Sequence, residues 1–366
     1  MKFSVSRDAL LKPLSWFKTI IDKSQSISVL QNTYLKIENS IMTIVASDSE
    51  VELRTESEVD SSLDGHITFP GRKVYDWLRQ LPNDAFIEVD LDNQHRFTLN
   101  SENSRCRTNT LPADEFPFFD FPSHEFFFSI EEKTFKYLLD RVSFSMAHQD
   151  VRYFLNGLLI DLKPGLVRLV ATDGHRLSLS QSSVDYTGVP IKIILPRKAV
   201  LELSRLLEGS KVSINIMLSN SAARFSLISS ILTTKLIDGK FPDYEKVLPR
   251  NLENQVVIPR EPFRMALGRL SVFSHEKAHS ARIILSQNKI ELIATNPSGD
   301  EASEVLAVDY DAQRYESGFN LTYMQDILSV LEEPSLLLSF ADEYSPILIQ
   351  ELENRESSYI VMPMRV

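Results

Sequence analysis

The 366-residue chain holds one cysteine, Cys106, so it forms no internal disulfide, which agrees with a reducing compartment. Cys106 reads as a small packing residue on a strand rather than as a nucleophile. Glycine is scarce, at 11 residues, which argues against a loop-rich or low-complexity architecture. No apolar run approaches the ~20 residues that span a bilayer, and the opening MKFSVSRDALLKP brings charge too soon after a short apolar segment for a signal peptide. A cytoplasmic chain is expected. Positive charge is lacking overall: 39 Lys and Arg against 50 Asp and Glu leave a formal charge of −11, unlike a simple basic nucleic-acid binder. Phosphate loops of the GxxxxGK(S/T) or GxGxxG type and a GxSxG elbow are also absent.

What is present is repetition, with a period of about 125 residues. LVATD at 169–173 matches IVASD at 44–48 at an offset of 125 and LIATN at 292–296 at 123. Arg197-Lys198 opens one amphipathic helix and Arg72-Lys73 another, again 125 apart; a third version from Asn320 keeps the apolar spacing but lacks the basic pair. A leading helix in each repeat aligns Leu10, Leu11 and Leu14 with Leu138, Leu139 and Val142 and with Ala266, Leu267 and Leu270. Phe116-Pro117, Phe241-Pro242 and Met362-Pro363 close the repeats alike. Alternating stretches at 212–218, 223–228 and 335–340 read as strands. Each repeat is therefore helix, strands, helix, strands, with boundaries near Ser123 and Asn251, where polar stretches interrupt the pattern.

The six helical stretches read from the sequence, 7–23, 72–79, 131–141, 197–208, 260–270 and 320–333, sum to +4, leaving −15 on the rest of the chain. Helix faces turned toward a polyanion would produce this asymmetry, and ordinary solvated faces would also carry such charge. The most decorated stretch, 144–180, reads as a helix exit at 144–147, a polar loop at 148–150, a strand at 152–162, a Lys-Pro-Gly turn and a second strand bearing ATDGHRL. His148, Asp150, Asp173 and His175 at its tip are drawable as metal ligands or as an acid–base pair, yet none has HExxH or paired CxxC spacing. Asp173-Gly174 reads as a tight turn in which Gly supplies positive φ. Leu155, Leu177, Pro242, Val247, Ile360 and Met362 group as the apolar walls of a groove, a pattern that core packing shares. A metal-dependent nucleic-acid enzyme and a monomeric peptide-binding module stand as rival readings.

SFSMAHQDVRYFLNG, ATDGHRL, LIDGKFPDYEKVLP and the ending YIVMPMRV together resemble the bacterial replicative sliding clamps, the β subunits of DNA polymerase III, over the whole chain. The resemblance implies an α+β fold of three repeated clamp domains, 1–123, 124–251 and 252–366, each with two helices on sheets. It implies a head-to-tail homodimer closing a six-domain ring around duplex DNA, helices inward and acidic sheets outward. The implied role is a non-catalytic processivity factor, without metal or cofactor, that binds DNA without sequence preference. It would tether the replicative polymerase, the clamp loader and repair proteins by short linear motifs. By the same resemblance the peptide-binding pocket comprises Leu155, Thr172, Gly174, His175, Arg176, Leu177, Pro242, Lys246, Val247, Ile360, Met362, Pro363, Met364 and Arg365. Met362 is its implied gate, Arg176 and Arg365 its polar frame, and Lys246 stands where an arginine is often seen. Implied DNA contacts are Lys23, Arg72, Lys73, Gln149, Tyr153, Arg197 and Lys198, with Ser24 in place of a basic residue. The implied dimer seam pairs Cys106 and Thr108 with Val272 and Phe273.

Overall fold

The structure, a computed structural model, describes residues 1–21, 27–92, 96–123, 126–249, 252–275 and 279–365. Lys23, Ser24 and the boundary at Asn251 lie outside the described residues. Two compact units are distinguished, Met1–Lys136 with Lys198–Leu236, and Tyr137–Arg197 with Ile237–Val366. The helices are α1 (Arg7–Phe17), α2 (Gly71–Leu78), α3 (Glu132–Val142), α4 (Arg197–Leu206), the short α5 (Tyr244–Val247), α6 (Arg260–Ser271) and α7 (Leu321–Val330).

In the first unit, an eight-stranded sheet runs in the order Phe126–Glu131, Ser213–Leu218, Ala222–Ser226, Ser230–Lys235, Val51–Glu58, Ile41–Ser47, Thr33–Glu38, Gly65–Phe69. Every neighbouring pair is antiparallel, which lets one face be buried and the other solvated. A five-stranded sheet, Asp60–Leu63, Lys2–Ser6, Phe86–Leu91, Arg96–Ser101, Ser104–Asn109, leaves its last strand as an open edge. On α1, Leu10, Leu14 and Phe17 recur at helical spacing and bury against α2, which contributes Val74 and Leu78. Helix α1 stops at Phe17 rather than continuing to 23. The Phe17 carbonyl accepts from the amides of both Ile20 and Ile21, a turn that puts these two apolar side chains into the core.

The second unit has an eight-stranded antiparallel sheet in the order Ile191–Pro196, Gly157–Lys163, Leu166–Thr172, Arg176–Ser183, Ser357–Val361, Ile347–Glu351, Ser335–Phe340, Asn254–Pro259. Its four-stranded sheet is Glu301–Ala307, Lys289–Thr295, Ser280–Ser286, Tyr315–Asn320, with Glu301–Ala307 at an open edge. Phe263, Ala266, Leu267 and Leu270 of α6 meet Leu321, Met324, Ile327 and Leu328 of α7 in one core cluster. Asn320 caps α7, its side-chain oxygen accepting from the Tyr323 amide. The strand expected at 152–162 begins only at Gly157, and 153–155 is a 3-10 turn. The Asn156 side chain bonds the amide and the carbonyl of Asp150, at 2.9 and 2.8 Å, and so folds the chain back on itself before the strand can start.

The first residue of each repeat's leading helix ties that helix to the second one. Arg7 donates from Nε to the Leu78 carbonyl at the end of α2 (2.8 Å), and Arg260 donates from Nη1 to the Leu331 carbonyl just past α7. A cation beside these terminal carbonyls is favourable, since the dipole leaves them negative. The middle repeat inverts the polarity: Glu132, nearly fully buried, accepts from the amides of Glu208 and Gly209 after α4 and from Ser210 Oγ (2.6 Å). Burial raises its pKa, but the bonds from Ser210, Gly209 and Glu208 outweigh burial and leave it below the ordinary carboxylate value.

Because this carboxyl is depressed in the folded state, its contribution is complete above the unfolded value and is lost as pH falls through the folded one. Glu132→Gln should therefore cost about 1–2 kcal/mol in urea unfolding at neutral pH, with the difference from the parent shrinking in acid. A difference that persists unchanged in acid would refute this account.

Candidate functional site

Strand Arg176–Ser183 pairs with strand Ser357–Val361 so that Leu177 faces Ile360 and Arg176 faces Val361, and the Met362 amide donates to the His175 carbonyl at 2.9 Å. This pairing brings the decorated turn and the chain end to the same place. Between them lies an apolar cavity of about 280 Å³. Ten of the fourteen expected pocket residues line it: Leu155, Thr172, Gly174, His175, Arg176, Leu177, Pro242, Val247, Ile360 and Met362. Arg152 and Phe154 line it too, and the sequence reading passed over both. Its floor is a cluster of Leu159, Val170, Leu177, Leu179, Ile194, Phe241, Tyr244 and Ile360.

Side chains of the turn itself fix its shape. Thr172 Oγ1 accepts from the Gly174 amide (3.0 Å) and donates to the Arg176 carbonyl (2.6 Å), while Asp173 Oδ1 accepts from the amides of His175 (2.9 Å) and Arg176 (3.0 Å). Gly174 has φ +91°, and a Cβ there would lie 2.8 Å from Arg152 Nη1. The positive φ requires glycine; the contact alone would not, since the Arg152 tip is flexible enough to move aside. Arg152 grips Asp150 with two bonds (3.0 and 2.8 Å) and reaches the Asp173 carbonyl (3.0 Å). That fork holds the Asp150 carboxyl down at about 2.

The Arg176 guanidinium, expected to frame a peptide, is committed inside the protein. It donates to Asp173 Oδ2 (3.1 Å), Asp326 Oδ2 (2.6 Å) and the Phe144 carbonyl (2.6 Å), and it lies over the rings of Tyr323 and Phe144. Its side chain is only 9 % exposed, so what it offers the cavity is a wall. The opposite wall is the segment 242–248, anchored by Tyr244, whose hydroxyl donates to buried Asp161 Oδ2 at 2.6 Å. Burial, reinforced by that carboxylate, pushes the Tyr244 hydroxyl well above its ordinary value.

Other expected residues fall elsewhere. Lys246 borders two neighbouring cavities rather than the main one, and Pro363, Met364 and Arg365 line a separate recess with Arg282 and Tyr344. The tail is pinned there by the Met364 amide donating to the Gly318 carbonyl at 2.7 Å. Arg72, Lys73, Gln149 and Tyr153 are exposed; Arg197 donates to the Met146 carbonyl (3.1 Å), and Lys198 is ion-paired with Asp48. Cys106 and Thr108 are half-buried on the open edge strand Ser104–Asn109, and Val272 and Phe273, just past α6, are exposed. Of the proposed metal set, Asp150 and Asp173 have their carboxylates taken by arginines and amides, and among the described residues no three His, Cys, Asp or Glu converge on one point. HEKAH at 275–279 does match HExxH, a spacing the sequence reading passed over. Helix α6 ends before it at Ser271, His279 has φ +45°, and residues 276–278 lie outside the described residues, so the motif carries no site here.

Family models for the N-terminal, central and C-terminal domains of the DNA polymerase III beta subunit match residues 1–120, 129–243 and 245–365. The chain belongs to this family, the beta sliding clamps. A beta sliding clamp of Pseudomonas putida is 38% identical over 373 residues, covering 100% of both chains. A crystal structure of the DNA polymerase III subunit beta from Pseudomonas aeruginosa superposes with a TM-score of 0.96 at 38% identity, again covering 100% of both chains. A sliding clamp of the same organism solved bound to griselimycin gives the same TM-score, identity and coverage. The fold is the three-domain α+β clamp fold, and the function is that of a non-catalytic processivity factor in DNA replication.

The strut at Arg176 can be tested by keeping its charge and removing its fork. Arg176→Lys leaves one compact ammonium for three acceptors set in different directions, and it should cost about 2 kcal/mol of stability in denaturant unfolding. An unchanged midpoint would show that the guanidinium geometry is not needed.

Proposed function

We propose that two copies of this clamp close head to tail into a ring around duplex DNA, and that the 280 Å³ cavity receives a short peptide from proteins tethered there. The domains are those at 1–123, 124–251 and 252–366, and the work is done in the cytoplasm. Among the described residues no helix is long and apolar enough to cross a membrane. The convergence of turn 172–177, segment 242–247 and residues 360–362 on one apolar cavity carries the peptide reading. Its occupants are the replicative polymerase, the clamp loader and repair proteins, through segments with a glutamine and hydrophobic anchors. Lys246, Pro363, Met364 and Arg365 extend the site beyond the cavity, and Met362 gates it.

For DNA, the observed helices carry +1, +1, +1, +2, 0, +2 and −1 from α1 to α7, in a chain of −11. Cations on helices and anions elsewhere suit loose, sequence-independent phosphate contact. Arg72, Lys73, Gln149 and Tyr153 are exposed for it; Arg197 and Lys198 join them once their internal partners are exchanged for phosphate, and Lys23 completes the set. Ring closure is supported by the two open edges, Ser104–Asn109 and Glu301–Ala307, whose unpaired backbone groups suit each other. Cys106 and Thr108 sit on the first, and Val272 and Phe273, both exposed, follow helix α6, which contacts the second.

A topological link depends on the shape of the DNA. The protein loaded on closed circular DNA should be retained through gel filtration and released when the circle is cut; equal release from circle and line would defeat the ring reading. Phe273→Glu should convert dimer to monomer in sedimentation, because a charge buried in a seam has no partner. A dimer that persists would place the seam elsewhere.

A further inference from the structure

Pro242 separates the apolar cavity from a second one, of about 570 Å³, in the same unit. The chemistry changes across that single residue. Lys192, Lys240 and Lys246 border the second cavity, with Asp243 and Glu245. Both carboxylates are already matched: Asp243 to Lys246 at 3.0 Å, and Glu245 to Lys163 at 3.1 Å and Arg168 at 3.2 Å. Hydrogen bonds from Lys246 and from Lys163 hold the two acids below their ordinary values. Lys240 is exposed and, among the described residues, makes no ion pair or hydrogen bond. Lys192, half exposed, reaches Asp161 at 3.3 Å, but that carboxylate is shared with Lys163 (3.5 Å) and the Tyr244 hydroxyl (2.6 Å). A chain with an excess of acid thus keeps beside its apolar pocket one cation without an ion pair among the described residues, Lys240, and a second, Lys192, that shares its carboxylate and lies over the Tyr244 ring.

We infer that this cavity takes acidic residues flanking the apolar anchors of a bound peptide, so that partners with Asp or Glu next to their anchors are favoured. The inference rests on the peptide reading of the first cavity. An extended chain advances roughly 3.3 Å per residue, so two or three residues beyond an anchor at the Pro242 wall reach the lysines. An acidic side chain can seat singly between Lys192 and Lys240. A phosphate backbone, with its continuous charge, would also meet Asp243 and Glu245. Exposed ion pairs of this kind add selectivity and encounter rate more than bulk affinity, and salt screens them.

Fluorescence anisotropy with three labelled peptides tests this. One carries glutamine, leucine and phenylalanine anchors with serine flanks; the others carry the same anchors with three glutamates before or after them. At low salt one glutamate peptide should bind roughly tenfold more tightly than the serine peptide, an advantage lost by about 0.5 M salt. In the Lys192→Ala/Lys240→Ala protein the advantage should vanish while the serine peptide keeps its affinity. Equal binding of all three peptides, or an advantage that survives the double substitution, would overturn the inference. So would a double variant that loses retention on circular DNA with the peptide ranking unchanged, since the lysines would then serve phosphate. Failure of the serine peptide to bind at all would instead remove the pocket reading itself, and this inference with it.

Discussion

The antiparallel pairing of strand Arg176–Ser183 with strand Ser357–Val361 sets the position of everything around the apolar cavity. Its partners lie about 180 residues apart in sequence, so local preference does nothing to bring them together. Register is what matters. Ile360 belongs to the cluster under the cavity, while its neighbours Tyr359 and Val361 belong to the core beneath α6 and α7. A slip of one residue would exchange the two faces and empty both. A buried hydroxyl pair, Ser180 with Ser357 at 2.8 Å, supports that register, and a second, Ser145 with Ser178 at 2.6 Å, ties the strand to the 3-10 turn at 143–145. Each satisfies polar atoms that would otherwise be costly at that depth.

Around this seam the strongest charges serve position rather than chemistry. Arg176 ties the turn to Asp326 on α7, and Arg141, almost fully buried, lies 3.4 Å from Glu351 and over the ring of Tyr137. Asp161 fixes Tyr244 and with it the 242–248 wall. Removing one member of such a set leaves a buried charge without its partner, which costs more than the pair contributes. The site that results has rigid walls and polar groups occupied elsewhere. That is suited to holding a peptide by its apolar side chains and unsuited to moving protons.

Much of this was legible in the chain. The repeats could be read because their landmarks are local: the leading helices begin at Arg7, Glu132 and Arg260, close to where apolar spacing put them. Leu155, Leu177, Pro242, Val247, Ile360 and Met362, grouped in the sequence around landmarks of the middle repeat and the chain end, line one cavity, although the pattern alone fitted core packing as well. Partnerships across long separations were not. Nothing near Lys198 announces Asp48, 150 residues away, and nothing near Arg176 announces Asp326, also 150 away. Arg152 and Phe154 were lost for a different reason. Carrying the strand back to 152 treated both as ordinary alternating residues, although Asp150 and Arg152, two apart, were the local sign of a folded turn.

The two open edges raise a problem of their own, because exposed strands pair with whatever edge arrives first. Ser104–Asn109 presents Arg105 and Arg107 outward, and Glu301–Ala307 presents Glu301, with Glu304 partly covered by Arg269. Two copies of the first edge meeting antiparallel would bring arginines together, and two copies of the second would bring glutamates together. Joining unlike edges sets opposite charges across the ladder. Under the proposed head-to-tail closure, the charge pattern on these two edges disfavours pairing between like edges and favours the pairing of unlike ones.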